Sequence, residues 1–580
     1  MPEIKWQDWN RASFERAKAE GKPILLDIFG SWCHWCHVMD RTSYSDPSVA
    51  DLVNKNFVPV RVDTDKRPDV NRRYNMGGWP STVFLDSEGK VITGGTYIPP
   101  QQMREVLRSV AGLYQKSKGK ITSKLGPVSI PRPAEKEPTS EIIRDIATTV
   151  AVNFDIDYGG FGFEPKFPHT DALELALTRY HYADEKEMLT VVSRTLDKMG
   201  KGGVYDHVEG GFFRYSTTRD WSIPHYEKMA EDNAKLLRVY LHAFQLTRNP
   251  FYKEIAEGII QYLDSYLTNK DNALFYGSQD ADEEYYKLDR EARKTHGPPK
   301  IDQTIHTNYN ALLVSSYLLA GHVLKKPNLS QRAIQALGQL VTTVVKDDGL
   351  LAHYDGQEAP RGLLIDHSLM IHALLDAYPY TLNSDYVEKA VKIADHLLNS
   401  LRDPKDGGFF DIPESGSEIG ELRTRDKPMD ENSVAATALT RLSHVTGEDQ
   451  YSEASAAALR LFPNDFDRYG TMAAVYGVAL DFGLNGPIGI TIVGSSTGRQ
   501  FEKFKEEALD LYDARRSILY LDPSKDSKRI KDVGYKSGPG PVAYVCVGKV
   551  CGPPINQPEK IPDYVRSLLK PTPAVSTAKP

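Results

Sequence analysis

Apolar and polar positions follow three different rhythms along this chain, and the changes of rhythm divide it. Residues 8–20 have helical spacing, with Phe14 and Ala17 on one side. The run Ile24-Leu25-Leu26-Asp27-Ile28-Phe29 has strand length, stops at Gly30-Ser31, and predicts a helix from the cysteine pair behind it. Residues 56–63 form a second apolar stretch, whose Pro59 suits an edge or a bend because proline brings no N–H to a ladder. Residues 67–76 read as a helix, 77–86 as a turn entering a strand, 87–90 as a hairpin turn into Val91-Ile92, and 100–116 as a closing helix. An opening helix followed by β-α-β-α-β-β-α predicts one small α/β domain over 1–118.

After a Lys-, Ser- and Pro-rich linker at 119–139, the helical period takes over almost throughout 140–485. The segments are 140–153, 171–183, 186–199, 226–247, 249–268, 308–325, 328–346, 362–378, 384–402, 430–447, 449–461 and 471–485. Short connections alternate with long ones, so neighbours form antiparallel hairpins and the long links gather at one end. Gly159-Gly160-Phe161, Gly210-Gly211-Phe212 and Gly407-Gly408-Phe409 echo one another in three of the long links. Six hairpins closing on themselves predict an α/α toroid. Beyond 486 strand signals return at 488–494, 517–521 and 541–547, with helices at 497–513 and 558–570, predicting a small α/β appendage over 486–570 and a disordered tail at 571–580.

Charge and composition narrow the function classes. A net charge of −7 over 580 residues leaves no basic footprint for nucleic acid. No apolar run reaches membrane-spanning length, and the N-terminus has no basic region followed by an apolar stretch. Four cysteines in a chain of this size do not make a disulfide scaffold, and a cytoplasmic location fits that usage.

Two of those cysteines stand in Trp32-Cys33-His34-Trp35-Cys36-His37. A strand feeding a helix through Cys-x-x-Cys places Cys33 at a helix N-terminus, where unpaired N–H groups favour a thiolate. Asp27 lies on the strand beneath the pair and can relay a proton to Cys36. Trp79-Pro80 falls where a thioredoxin-type fold places a cis-proline. Cys33 is then the exposed nucleophile, Cys36 the resolving thiol, and exchange with a protein thiol partner runs through a mixed disulfide. The same residues satisfy the c-type haem pattern, which needs export and an axial ligand. Cys33, Cys36 and His34 or His37 with Cys546 and Cys551 would suit zinc, and a fold that merely retains its cysteines is a further alternative. The redox reading needs no metal and no cofactor.

Ser31-Trp32-Cys33-His34-Trp35-Cys36-His37-Val38-Met39 resembles the spermatogenesis-associated thioredoxin-like family. The resemblance continues at Val62 to Asp69, Gly77-Gly78-Trp79-Pro80, Lys166-Phe167-Pro168, Gly202 to His207, Trp221 to Met229, Asp430-Glu431-Asn432-Ser433 and Tyr544-Val545-Cys546 with Cys551. It implies a thioredoxin-like domain fused to a six-hairpin, glycosidase-like α/α barrel. Two stretches depart from the family pattern: the region after Ser278-Gln279-Asp280-Ala281-Asp282, and Tyr309-Asn310, where Trp-Asn is usual. Toroids of this kind use paired carboxylates for glycoside hydrolysis or histidines for sugar epimerisation. That implies a carbohydrate ligand and a barrel-mouth site drawn from Asp206, His207, His225, Glu227, Lys228, Asp282, Asp366, His367, Asp430 and Asn432. Asp and Asn before helices also serve as N-caps, so several of these carry a purely structural alternative. Cys546 and Cys551 are candidates for a redox relay to Cys33. The sequence therefore points first to a thiol–disulfide oxidoreductase whose barrel recognises a substrate or partner. A carbohydrate-active enzyme and a non-enzymatic interaction protein are the alternatives.

Overall fold

The computed structural model describes residues 3–117 and 130–569, apart from 417, 513, 537, 539 and 549. Most of the expected linker and all of the expected tail lie outside those residues. Within 130–139 no regular element precedes the helix Ser140–Val152.

The N-terminal region is thioredoxin-like. Strands β1 (Ile24–Phe29), β2 (Val58–Asp63), β3 (Ser81–Leu85) and β4 (Val91–Gly95) form one sheet in the order β2-β1-β3-β4. β1 runs parallel to β2, while β3 is antiparallel to both β1 and β4. The continuous apolar run of β1 is explained by burial on both faces. Ile24, Leu26 and Ile28 pack with Trp9, Phe14 and Tyr74 on one side. Leu25 packs with Met39, Val49 and Leu107 on the other, and strand alternation puts Asp27 on that second side with the cysteine helix. Pro59 sits on the edge strand, as its missing N–H requires.

The central region closes into a ring. Its inner helices are Thr170–Ala183, Ala230–Thr247, Thr307–Val323, Leu364–Thr381, Met429–Thr446 and Ala474–Asn485; each packs on the next and the last returns to the first. Outer helices Lys186–Lys201, Pro250–Tyr266, Pro327–Val344, Asp385–Ser400 and Asp449–Leu459 each follow their inner partner, and Ser140–Val152 pairs with Ala474–Asn485. The helix expected from 226 begins at Ala230, because 224–225 and 228–229 are short strands that pair with other strands. Two short helices, Glu283–Tyr286 and Arg290–His296, interrupt what reads as one long link.

The echoed Gly-Gly-Phe turns are a repeated clamp. Both glycines of each turn are left-handed (φ 68–81°), and a Cβ on Gly210 would come 2.2 Å from the Gly258 carbonyl oxygen. Four residues before the first glycine of each pair stands an aspartate that receives a lysine: Lys166 on Asp155 (2.6 Å), Lys228 on Asp206 (2.7 Å) and Lys427 on Asp403 (2.7 Å). An asparagine of the following inner helix then brackets the loop phenylalanine. Asn233 holds Phe212 and Asn432 holds Phe409, each accepting from the backbone N–H and donating to the carbonyl; Asn310 does the same for Phe275 in the next loop.

The C-terminal region is a second small sheet with helices. Ile488–Val493 is central, parallel to Arg516–Leu521 and antiparallel to Val542–Val547. It sits at the C-terminal ends of the inner helices, with Gly489 against His444 and Tyr378 donating to the Tyr520 carbonyl. The thioredoxin-like region sits at their other ends. Arg73 reaches Asp411 through both terminal nitrogens (2.7 and 3.1 Å) and donates to the carbonyls of Glu421 and Thr424, while Arg72 pairs with Glu431.

Candidate functional site

Cys33 caps the short helix His34–Met39, and its sulfur accepts from the Cys36 N–H at 3.2 Å. Cys33 and Cys36 are disulfide-bonded. The Trp79–Pro80 bond is cis and Pro80 is buried. Trp32 donates from its indole to Asp65 (2.9 Å) and stands edge-on to Trp79. One expectation is corrected. Cys33 is only 3 % exposed, because Met229, at the threshold of an inner barrel helix, packs with Trp32, Cys33 and Cys36. The exposed aromatic neighbour is Trp35, at 47 %.

The barrel thus supplies the roof of the thiol site. Two short strands, Pro224–His225 and Lys228–Met229, are joined by a tight turn in which the Glu227 N–H donates to the His225 carbonyl (2.9 Å), and along it alternate side chains separate onto two faces. His225, Glu227 and Met229 turn toward the thioredoxin-like region. The His225 ring lies edge-on to that of His34 (centroids 6.3 Å apart), and its Nδ1 is 3.0 Å from the buried Glu227 carboxylate. Arg214 sits 3.7 Å from Glu227 with its guanidinium over the faces of Trp32 and Trp79. Tyr226 and Lys228 turn the other way, into a cluster with Phe213 and Tyr286.

Further contacts close the junction. Met229, Ser278 and Asp302 are cross-strand neighbours in a three-stranded ribbon, and Ser31 donates to Asp302 (3.0 Å). His37 pairs with Asp280 (2.9 Å), whose hydrogen bond raises the imidazole pKa against the opposing effect of burial. A cavity of about 400 Å³ lies between Ser31, Trp32, Ser278, Asp280, Lys300 and Asp302. Burial, then the neighbouring Asp63 charge, pushes Asp65 up to about 8. Burial pushes Asp27 up to about 7, opposed by Arg61, 2.9 Å away, and by a hydrogen bond from Tyr44 (3.2 Å).

The remaining expected site residues do not join this group. Asp206 and Lys228 are the second clamp; burial would raise the Asp206 carboxyl, but Lys228 and Arg293 hold it below the usual range. Asn432 is spent on its bracket. Asp282 caps a helix, accepting from Glu284 and Tyr285 N–H. His207 is exposed and contacts the Gly202 carbonyl. His367 is buried against His396 of an outer helix, and burial lowers its pKa to about 4. Asp430 is exposed near Arg72. Asp366 is buried on His353, whose other ring nitrogen meets the Asp65 carbonyl (2.8 Å), so it supports the junction from behind.

Cys546 and Cys551 are disulfide-bonded to each other across a hairpin. Cys546 pairs with Gly489, beside the last turn of the inner helix Met429–Thr446, whose first turn receives Arg72. That helix, about 27 Å long from its eighteen residues, runs between the junction and the hairpin, and Cys546 is bonded to Cys551 rather than brought to Cys33, which corrects the expected relay. The same pairing removes the zinc alternative built on these sulfurs, and no His, Cys, Asp or Glu cluster among the described residues could hold a metal ion.

Asp65, Asp302, His353 and Met229 are neighbours at the cysteine junction that sequence reasoning did not single out. The alternation of His225, Glu227 and Met229 was the available signal for the last. No described helix is long and apolar enough to cross a membrane.

A thioredoxin-like fold with its cysteine pair set against one end of an α/α six-hairpin toroid defines the class of protein. The chain is similar over nearly its whole length to the spermatogenesis-associated thioredoxin-like proteins. It is 26 % identical to spermatogenesis-associated protein 20 of Homo sapiens, over 98 % of this chain and 90 % of that protein. The family model Thioredox_DsbH, "Protein of unknown function, DUF255", matches residues 2–129. An 80-residue stretch is 31 % identical to the thiol:disulfide interchange protein DsbD of Yersinia pestis, covering 13 % of each chain. Among solved structures, the cellobiose 2-epimerase of Spirochaeta thermophila is similar with a TM-score of 0.47 and 12 % identity, over 60 % of this chain and 98 % of that one.

Proposed function

We propose that the protein is a thiol–disulfide oxidoreductase whose reacting pair, Cys33 and Cys36, works at the junction between its thioredoxin-like region and the toroid. The observation that carries this reading is the disulfide at a helix N-terminus, roofed by His225, Glu227 and Met229 from the barrel. A partner thiolate attacks the Cys33 sulfur, the Cys33–Cys36 bond breaks, and Cys36 leaves as a thiolate. Asp27, which holds its proton up to about 7 on the same side of the sheet, supplies a proton to Cys36. The partner's second thiolate then attacks its own sulfur in the mixed disulfide and releases Cys33. Two partner thiols become a disulfide and the protein disulfide becomes two thiols; of the two partner protons, one ends on Cys33 and the other restores the proton that Asp27 gave to Cys36. Arg214, between Glu227 and the two indoles, fixes the roof over the pair.

Two of the expected barrel acids are committed elsewhere, Asp206 to Lys228 and Arg293 and Asp282 to a helix cap, and Asp430 lies exposed near Arg72, so no carboxylate pair favours a second, hydrolytic reading. The test is exchange with oxidised glutathione after reduction of the full chain. The expected result is a glutathione adduct on Cys33 that accumulates in Cys36→Ser and is absent from Cys33→Ser. Equal disulfide turnover by Cys33→Ser and the parent protein overturns the proposal.

A further inference from the structure

The C-terminal sheet repeats the topology of the N-terminal one. In both, the first strand is parallel to the second and antiparallel to the third, and the fourth pairs with the third. Ile488–Val493 with Gly494-Ser495 stands where Ile24–Phe29 with Gly30-Ser31 stands, so Thr497 and Gln500 fall at the places of Cys33 and Cys36. This second unit carries its cysteines on the last hairpin instead, where Cys546 is bonded to Cys551. As a staple that bond adds little. Val547 and Val550 already pair across the hairpin, and a sequence separation of 5 closes a loop too short to restrain the unfolded chain strongly. The two sulfurs are also unequally placed: Cys551 is exposed on a two-residue edge strand, whereas Cys546 is buried.

Beside Cys546 stands His444, whose Nε2 nitrogen is buried and has no hydrogen-bond partner. The edge of its ring fills the space of the side chain that Gly489 lacks: a Cβ there would come 2.6 Å from Nε2. Gly489 and Cys546 are directly opposite in the antiparallel ladder, so both point to the same face, with Cβ positions about 4.5–5.5 Å apart. In the disulfide the Cys546 sulfur is drawn the other way, toward Cys551. Once that bond opens, one χ1 step turns the Cys546 S–H toward the unpartnered nitrogen. Burial, and after it the Arg529 charge, lower the His444 pKa to about 4, so the ring is a neutral acceptor at pH 7.

We infer that Cys546 and Cys551 form a second thiol–disulfide exchange site, open to low-molecular-weight thiols, in which His444 receives the Cys546 thiol. A thiolate attacks the exposed Cys551 sulfur, the Cys546–Cys551 bond breaks, and Cys546 leaves as a thiolate that takes up the proton the attacking thiol gave up. A second thiolate then attacks the incoming sulfur of the mixed disulfide and departs with it as the low-molecular-weight disulfide. Cys551 is released and takes the second proton. Two external thiols are oxidised and the protein disulfide is reduced. His444 is a positioning residue: its hydrogen bond stabilises the reduced pair and has no counterpart in the oxidised one.

The site shares no residue with Cys33 and Cys36, and alkylation read peptide by peptide follows the two pairs separately, so each reading stands or falls alone. Full-length protein is equilibrated in mixtures of reduced and oxidised glutathione, quenched with acid, alkylated and analysed by mass, with folding followed by circular dichroism. The expected result is a reduced Cys546 and Cys551 pair in folded protein, reached at a rate proportional to glutathione concentration. A transient glutathione adduct should form on Cys551 and not on Cys546. His444→Leu should shift the equilibrium constant toward the disulfide about fivefold, the loss of one hydrogen bond, and His444→Gln by less. His444→Met takes the place of His444→Leu if that variant does not fold. The inference is overturned if the pair stays oxidised until the chain unfolds, or if its reduction stops accelerating with glutathione because unfolding limits it. It is equally overturned if the adduct forms on Cys546, or if the folded apolar variant keeps the parent's constant within about twofold.

Discussion

Arg73 offers a direct way to ask whether the thiol pair is gated by its own barrel. Its side chain and that of Asp411 are each 4 % exposed, and the guanidinium makes two bonds to the carboxylate and further bonds to the carbonyls of Asp69, Glu421 and Thr424. Arg73→Ala strands a buried carboxylate at the junction, a change that costs about 3–5 kcal/mol. Because this pair exists only while the two regions are docked, the cost falls on the docked state. The population of the open form should then rise by roughly two to three and a half powers of ten. Cys33 lies beneath Met229, so its reduction by dithiothreitol should proceed through that open form and accelerate by a comparable factor until opening no longer limits it. The assay is quenched alkylation with mass analysis of Cys33 and Cys36 over time. Hydrogen exchange in the inner helices should stay unchanged, showing that the barrel remains folded. Lys18→Ala is the control, since its pair with Glu88 is exposed and worth little. If Arg73→Ala detaches the thioredoxin-like region by hydrogen exchange yet is reduced at the parent's rate, the disulfide is reached in the docked state and the gating argument is wrong.

Other consequences can be measured separately. Asn432→Ala removes the bracket on Phe409 and leaves its buried N–H and C=O without their partner, at about 1–3 kcal/mol each; exchange of the Phe409 amide should quicken at least tenfold while thiol exchange at Cys33 is unaltered. Asp27 keeps its proton up to about 7 in the folded protein, against 3.8 in the unfolded chain. Its contribution is therefore fully present below about pH 4, is lost as pH rises toward about 7, and totals roughly 4 kcal/mol. Asp27→Asn should flatten the decline in hydrogen-exchange protection of β1 across that window, and an unchanged slope would rule the shift out. Cys551→Ser should leave the Cys33 reduction rate within about twofold, because a disulfide at the other end of the inner helices has no path to exchange with it.

Much of this architecture was legible because it rests on local periodicity and connection length. Strand β1 announces itself by a continuous apolar run, and the short link at Arg248-Asn249 alone makes its two helices antiparallel neighbours. The barrel site was less legible, for reasons that lie in long-range packing. Asp206 looks like a catalytic acid until Lys228 and Arg293 are seen on it, and the clamp lysine stands 11, 22 or 24 residues beyond its aspartate, so no fixed spacing betrays the repeat. The thioredoxin-type arrangement leaves Cys33 exposed, and the residue that adds to the local cover of Trp32 and Trp79 is Met229, far along the chain. In the sequence His225, Glu227 and Lys228 read as one cluster, whereas the backbone there sends Lys228 to the opposite side.

The two-faced segment from His225 to Met229 also sets a rule of parity. Inserting or deleting one residue would exchange its faces, bringing the Lys228 ammonium under the disulfide and driving the Glu227 carboxylate into the tyrosine cluster. A change of two residues would restore the phase. Natural variation in the length of this stretch should therefore come in even steps, a constraint readable from aligned sequences without any knowledge of the reaction.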